Sequence, residues 1–247
     1  MSTTPVVEPS ANASRLRRAL LVGRAAIALL ILAAVIGQLV VSLGFWTERG
    51  DPDIGQNVGN FFSFFTIQSN LLAMVTLGVL VAAQLGRPRI GRRFDVLLLC
   101  ATTYMVVTGI VYNILLRGIE LPQGSTLGWS NEVLHLVAPL WMLLDWLLSP
   151  RRRELRWRDL GVVAIYPLVW LAYTLLRAPL IDDTFASGKP YWYPYPFLDP
   201  ANHDGGFAGV AVMCVVVAAI VVAGGALLLW FARWRGARTA AAVDARP

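Results

Sequence analysis

Six long stretches of this chain are almost free of Asp, Glu, Lys and Arg: residues 19–45, 61–85, 94–116, 133–148, 160–176 and 207–231. Most reach the roughly 20 residues that cover a ~30 Å hydrocarbon core. The stretches 133–148 and 160–176 are shorter and need their polar flanks to complete a crossing. In lipid, every backbone N–H and C=O must be satisfied within the protein, and helices do this segment by segment. The pattern therefore predicts an all-α polytopic membrane protein with six transmembrane helices.

Composition agrees. The chain is 57% hydrophobic and 15% charged, with mean hydropathy +0.60, against about 25% charged residues in soluble domains. One six-helix domain, 15–235, accounts for the length, because the longest connector, 178–206, is too short for a soluble fold. Residues 1–14 and 236–247 are small and polar and are expected to be disordered cytoplasmic tails. Arg15, Arg17 and Arg18 precede the first stretch, as in a signal peptide. That stretch is too long for a signal-peptide core and no clean cleavage site follows, so it reads as a retained helix.

The net charge of +6 does not point to nucleic acid. Of the 21 basic residues, 17 fall in the N-terminal arm and first-helix start, the second and fourth connectors, and the C-terminal tail. Only Arg49, Arg117, Arg177 and Lys189 lie on the alternate side. The positive-inside rule then places both termini in the cytoplasm. The Arg-over-Lys and Ala/Val/Leu bias suits a high-GC bacterial genome, hence a multi-pass protein of the inner (plasma) membrane. Cys100 and Cys214 differ in expected depth by roughly 10 Å at ~1.5 Å per residue, beyond disulfide reach. No metal-ligand spacing, phosphate loop or nucleophile-elbow motif is present, so no metal or cofactor is expected. In the 178–206 connector, Tyr191, Trp192, Tyr193, Tyr195 and Phe197 suit an interfacial aromatic belt. Pro190, Pro194, Pro196 and Pro200 stiffen the same connector.

Polar groups inside apolar spans are costly unless paired, and so they mark function. Ser63, Thr66 and Asn70 are spaced to share one face of the second helix. Asn131, Glu132 and His135 do the same at the start of the fourth. Tyr112 and Asn113 end the third, and Tyr173 and Arg177 end the fifth. Thr66 and His135 lie about five or six residues below the outer ends of their helices, or roughly 7.5–9 Å deep. These side chains converge on one layer in the outer leaflet.

Four runs, FFSFFTIQSNLL (61–72), TGIVYNILL (108–116), NEVLHLVAPLWMLLDWLL (131–148) and AYTLLRAPL…WYPYPFLDP (172–200), resemble a family of six-pass membrane proteins common in actinobacteria. That family is more distantly similar to the androgen-induced membrane hydrolases of animals. The resemblance implies cleavage of fatty acid esters of hydroxy fatty acids by an intramembrane Thr nucleophile partnered by His. The family's F-T-x-x-x-N-L run falls on Thr66, Asn70 and Leu71, and its N-x-x-x-H-x-x-x-P run on Asn131, His135 and Pro139.

The expectation is a membrane-embedded threonine-type hydrolase of lipid-like esters, with Thr66 as nucleophile and His135 as general base. Asn131 or Glu132 would orient His135. Asn70, Asn113, Tyr112 and Arg177 are of the right polarity for an oxyanion hole, with Ser63 and Tyr173 in support. The partners are membrane lipids and a lipid ester, and the sequence leaves the oligomeric state open. The alternatives are a small-molecule transporter, or a lipid-binding protein without catalysis, using the same layer.

Overall fold

The computed structural model describes residues 11–86, 90–119, 125–149, 155–183 and 189–244, with side chains through Arg238. Arg87, Arg89, Arg151, Arg152, Arg153 and Arg246, used in the charge count, lie outside those residues. All regular structure among the described residues is helical.

Helix α1 spans Ala11–Glu48, α2 Ile54–Ser63, α3 Phe65–Gln84 and α4 Arg92–Val111, the last continuing as a π turn over Tyr112–Leu116. Helix α5 (Gly128–Glu132), a π turn (Val133–Val137) and α6 (Ala138–Leu148) form one rod. Helix α7 covers Asp159–Arg177 and α8 Phe207–Asp244. Helical geometry thus begins at Ala11 and runs to Asp244, reaching into both segments expected as disordered tails. Among the described residues, six helices are long and apolar enough to cross a membrane. The two short apolar stretches are completed by flanking residues, as Gly128–Leu148 and Asp159–Leu180.

The first physical constraint is what each helix faces. α4 is the central column: 67% of its apolar window is buried, against 17% for α7. α4 packs against α3, α6, α7 and α8, while α1 packs along α3. Leu98, Leu99, Ala101, Tyr104 and Met105 are sealed inside. The outward faces remain apolar, with Leu29, Ile36, Ile165, Leu168, Leu176, Val215 and Leu227 exposed. An apolar outer face has a low free energy against lipid and a high one against water.

The Arg-rich end is tied by buried charges. The Arg24 Nε donates to Asp145 Oδ1 at 2.7 Å, and its other nitrogens reach Gln84 Oε1 at 2.8 Å and Ser149 Oγ at 3.3 Å. One guanidinium therefore joins α1, α3 and the end of α6. Arg24, one of the basic residues counted in the N-terminal arm and first-helix start, is buried in the bundle. Arg92 pairs with Asp159 across α4 and α7.

The opposite end is capped by the 189–206 segment, built from two 3₁₀ turns, Pro196–Leu198 and Pro200–Asn202. Lys189 Nζ bonds Asp199 Oδ2 at 3.1 Å, and the Asp199 Oδ1 caps Ala201 N at 2.9 Å. Trp192 N donates to the Ala178 carbonyl at 3.0 Å. Trp192 and Tyr195 point inward and are buried, so they depart from the expected interfacial belt. Their rings pack edge-on against Phe64, at 5.7 and 5.6 Å between centroids.

Two helix defects are met by side-chain hydrogen bonds. Pro167 inside α7 has no N–H for the Val163 carbonyl, and the Tyr104 hydroxyl donates to that carbonyl instead, at 2.9 Å. The second defect is the interruption at Phe64, whose backbone is extended (φ −63°, ψ 129°). The sequence pattern had one continuous helix here. The break leaves the Phe62 and Ser63 carbonyls without the amides four residues on. Gln68 Nε2 donates to the first at 2.7 Å and Trp170 Nε1 to the second at 2.9 Å. The Thr66 amide donates to the Tyr195 hydroxyl at 3.2 Å. Each group costs about 1–3 kcal/mol if left buried and unpaired, so these three side chains make the break tolerable.

Candidate active site

Thr66 is the second residue of α3, directly after the break. His135 is the middle residue of the π turn at Val133–Val137. The Thr66 Oγ1 lies 3.2 Å from His135 Nε2. Both residues are buried, at 9% and 7% exposure, so water does not compete for that contact. On the other side of the ring, Nδ1 sits 2.9 Å from the Asn131 carbonyl. A carbonyl can only accept, so Nδ1 carries the proton and the Nε2 lone pair faces Thr66.

The orienting group is therefore the Asn131 backbone and not its side chain. The Asn131 side chain donates to the Tyr112 hydroxyl. Tyr112 lies flat on the imidazole, with ring centroids 3.7 Å apart and planes inclined by 22°. That stack fixes the ring plane while the Asn131 carbonyl fixes its rotation. Asn113 Nδ2 bonds the His135 carbonyl at 3.1 Å and the Gly109 carbonyl at 2.8 Å, locking the two π turns together. Close approach here needs Gly109, where an added Cβ would meet Pro139 Cβ at 3.1 Å.

Glu132 does not orient His135. It forms a two-pronged pair with Arg117, at 2.8 and 3.0 Å, on the exposed rim. Its presumed shared face with His135 fails because the π turn is wider than an α turn, which carries the residue three back off the face. Asn70 lies below Thr66. Its Nδ2 donates to the Thr66 carbonyl at 2.9 Å and the Leu134 carbonyl at 3.1 Å, joining α3 to the π turn.

Ser63, Tyr173 and Arg177 form a second patch. Ser63 Oγ bonds Tyr173 Oη at 2.9 Å, and Arg177 Nη2 donates to Asn60 Oδ1 at 2.7 Å. Arg177 also covers the Trp192 and Tyr173 rings, at 5.5 and 5.9 Å. The break at Phe64 separates Ser63 from Thr66, so the expected common face of Ser63, Thr66 and Asn70 holds only for the last two.

Sequence reasoning missed Tyr195. Its hydroxyl lies 3.4 Å from Thr66 Oγ1 as well as on the Thr66 amide. Nothing local marks one tyrosine in an aromatic connector as turned inward. Ser69, bonded to Thr66 O at 3.1 Å and Thr108 Oγ1 at 3.0 Å, was also missed.

A pocket of about 100 Å³ runs down from Thr66 and Tyr195 between α4, α7 and α8. Its walls are almost wholly apolar: Val107 and Val111 of α4, Pro167 and Leu171 of α7, Val217 and Val221 of α8. Cys214 also lines it, and both cysteines are free. Among the described residues no group of three His, Cys, Asp or Glu side chains gathers as a metal site. The arrangement places a hydroxyl, a base and a hydroxyl donor at the head of an apolar slot. No family model matches the chain, and neither a curated protein nor a solved structure matches it.

Proposed function

We propose that this protein is a membrane-embedded hydrolase of lipid-like esters, with Thr66 as nucleophile and His135 as general base. The observation that carries this reading is the Thr66 Oγ1–His135 Nε2 contact at 3.2 Å, with Nδ1 held on a carbonyl, at the mouth of an apolar pocket. A buried Thr–His contact needed only for packing would not require the fixed tautomer or the adjoining slot.

The chemistry is a two-stage acyl transfer. Thr66 Oγ1 attacks the ester carbonyl carbon and its proton passes to His135 Nε2. The tetrahedral intermediate collapses, and the alkoxide leaves with that proton, giving acyl-Thr66 and an alcohol. Water then attacks the acyl carbon and gives its proton to His135. The second collapse releases the carboxylic acid and returns the proton to Thr66 Oγ1. The acyl chain occupies the apolar pocket, and the resemblance to the androgen-induced hydrolases suggests fatty acid esters of hydroxy fatty acids as substrates.

The charge distribution supports both termini in the cytoplasm and the 189–206 cap on the outer face of a bacterial inner membrane. The test of function is covalent labelling of the purified protein by a fluorophosphonate probe, with the labelled residue mapped. Labelling at Thr66, abolished in Thr66→Ala together with ester hydrolysis, is the expected result. Full hydrolysis by a folded Thr66→Ala protein overturns the reading. Saturable lipid binding without turnover would then support the non-catalytic alternative.

A further inference from the structure

The hydrolase reading leaves the developing oxyanion without a donor, and the residues suggested by sequence are already committed. Asn70 Nδ2 is spent on two carbonyls, and so is Asn113 Nδ2. The Tyr112 ring is flat on the imidazole, and its hydroxyl meets the Asn131 side chain, not the Thr66 hydroxyl. Arg177 serves the Asn60 patch and does not line the pocket. The Thr66 amide, at the buried start of α3, is covered by the Tyr195 hydroxyl.

We propose that Tyr195, carried to the broken end of α3 by the 189–206 cap, is a catalytic residue that donates the hydrogen bond stabilising the oxyanion formed when Thr66 attacks. The inference rests on the hydrolase reading above.

Three observations converge on Tyr195. Its hydroxyl accepts the Thr66 N–H, so its own proton is left to donate. That proton lies beside the nucleophile, at 3.4 Å from Thr66 Oγ1, and both residues line the pocket that would hold the acyl chain. The accepted amide bond polarises the phenol and strengthens it as a donor, since hydrogen bonds in a chain reinforce one another. The start of α3 adds the positive end of its dipole at the same point. Burial holds the phenol above the ordinary tyrosine range, so the proton stays on oxygen at neutral pH. The aromatic neighbours are rigid supports: Phe197 stacks on the Tyr195 ring at 5.3 Å, and Trp170 lies 5.9 Å away. A donor fixed before the reaction costs no reorganisation when charge develops.

During attack, the Thr66 oxygen bonds to the carbonyl carbon, and the carbonyl electron pair moves onto its oxygen. Tyr195 keeps its proton and shares it with that oxyanion. On collapse the pair returns and the hydrogen bond relaxes, so Tyr195 is neither consumed nor charged.

The test uses the full chain in lipid nanodiscs, a long-chain 4-methylumbelliferyl ester, and two inhibitors of equal chain length. One is a trifluoromethyl ketone, which forms an oxyanion adduct with a nucleophilic hydroxyl, and the other is a methyl ketone, which does not. Tyr195→Phe keeps the ring and removes only the hydroxyl. Expected is a fall in kcat of roughly 10²-fold, the typical loss for one oxyanion donor, with KM nearly unchanged. Trifluoromethyl ketone affinity should fall by the same factor while methyl ketone affinity holds. If Thr66→Ala is inactive and Tyr195→Phe keeps kcat within about threefold of wild type, a scale below any oxyanion donor's, the Tyr195 assignment is overturned and the hydrolase reading survives. An equal loss of both ketone affinities also overturns it, because the ring is then only a wall. Wild-type protein that neither hydrolyses esters nor is labelled at Thr66 overturns both. If Tyr195→Phe does not fold, fluorotyrosine at position 195 decides. A more acidic phenol is a stronger donor and should raise trifluoromethyl ketone affinity while methyl ketone affinity holds, and an unchanged affinity for both rejects the role.

Discussion

At the scale of single residues, the site separates side chains that act from backbone that orients. His135 Nδ1 is held by the Asn131 carbonyl, which survives any substitution at that position. Asn131→Ala should therefore cost far less activity than Thr66→Ala or His135→Ala, each of which removes a member of a unit whose losses do not add. The kcat of the three variants on one ester checks this, and an Asn131→Ala protein as inactive as His135→Ala would show that its side chain matters more. Glu132→Gln should leave kcat within about threefold, because an exposed ion pair contributes little and Glu132 faces Arg117 on the rim.

At the scale of elements, the apolar runs made the six helices legible, because lipid forces each run to satisfy its own backbone. The polar layer was legible too, since a His is rare in such surroundings and Thr66 falls at the same expected depth as His135. The break at Phe64 was not, for no Gly or Pro marks it. It depends on Tyr195, Gln68 and Trp170, which come from 129, 6 and 107 residues along the chain from the groups they satisfy. The π turns were equally hidden, and they misled the face pattern for Glu132. Trp170→Phe tests the accounting: it strands the Ser63 carbonyl and should cost about 1–3 kcal/mol, read as a lower unfolding temperature in detergent. The π turn at Val133–Val137 amounts to one residue inserted into a helix. Deleting Leu136 should restore an ordinary helix on both sides, keep the protein folded, and abolish hydrolysis by moving His135.

At the scale of the whole molecule, the two ends are held differently. The Arg-rich end depends on Arg24 and Asp145, both buried at 2.7 Å. Removing one partner strands a charge, so Arg24→Met should cost about 3–5 kcal/mol, whereas Arg24→Met with Asp145→Leu should recover most of that loss. Thermal unfolding of the single and double variants checks it. A reporter fused after Pro247 should be cytoplasmic, and a tag in 178–206 accessible from outside. The pocket, finally, is walled on one side by α7, the least buried of the crossing helices. Leu168 lines the pocket and is also 59% exposed on the outer face. For a hydrolase built so, the bilayer is the solvent of the reaction, and substrate arrives by lateral diffusion in two dimensions. Its rate law is then written in mole fraction of ester in the membrane, not in bulk molarity: adding inert lipid at constant ester should slow turnover, while diluting the whole suspension should not.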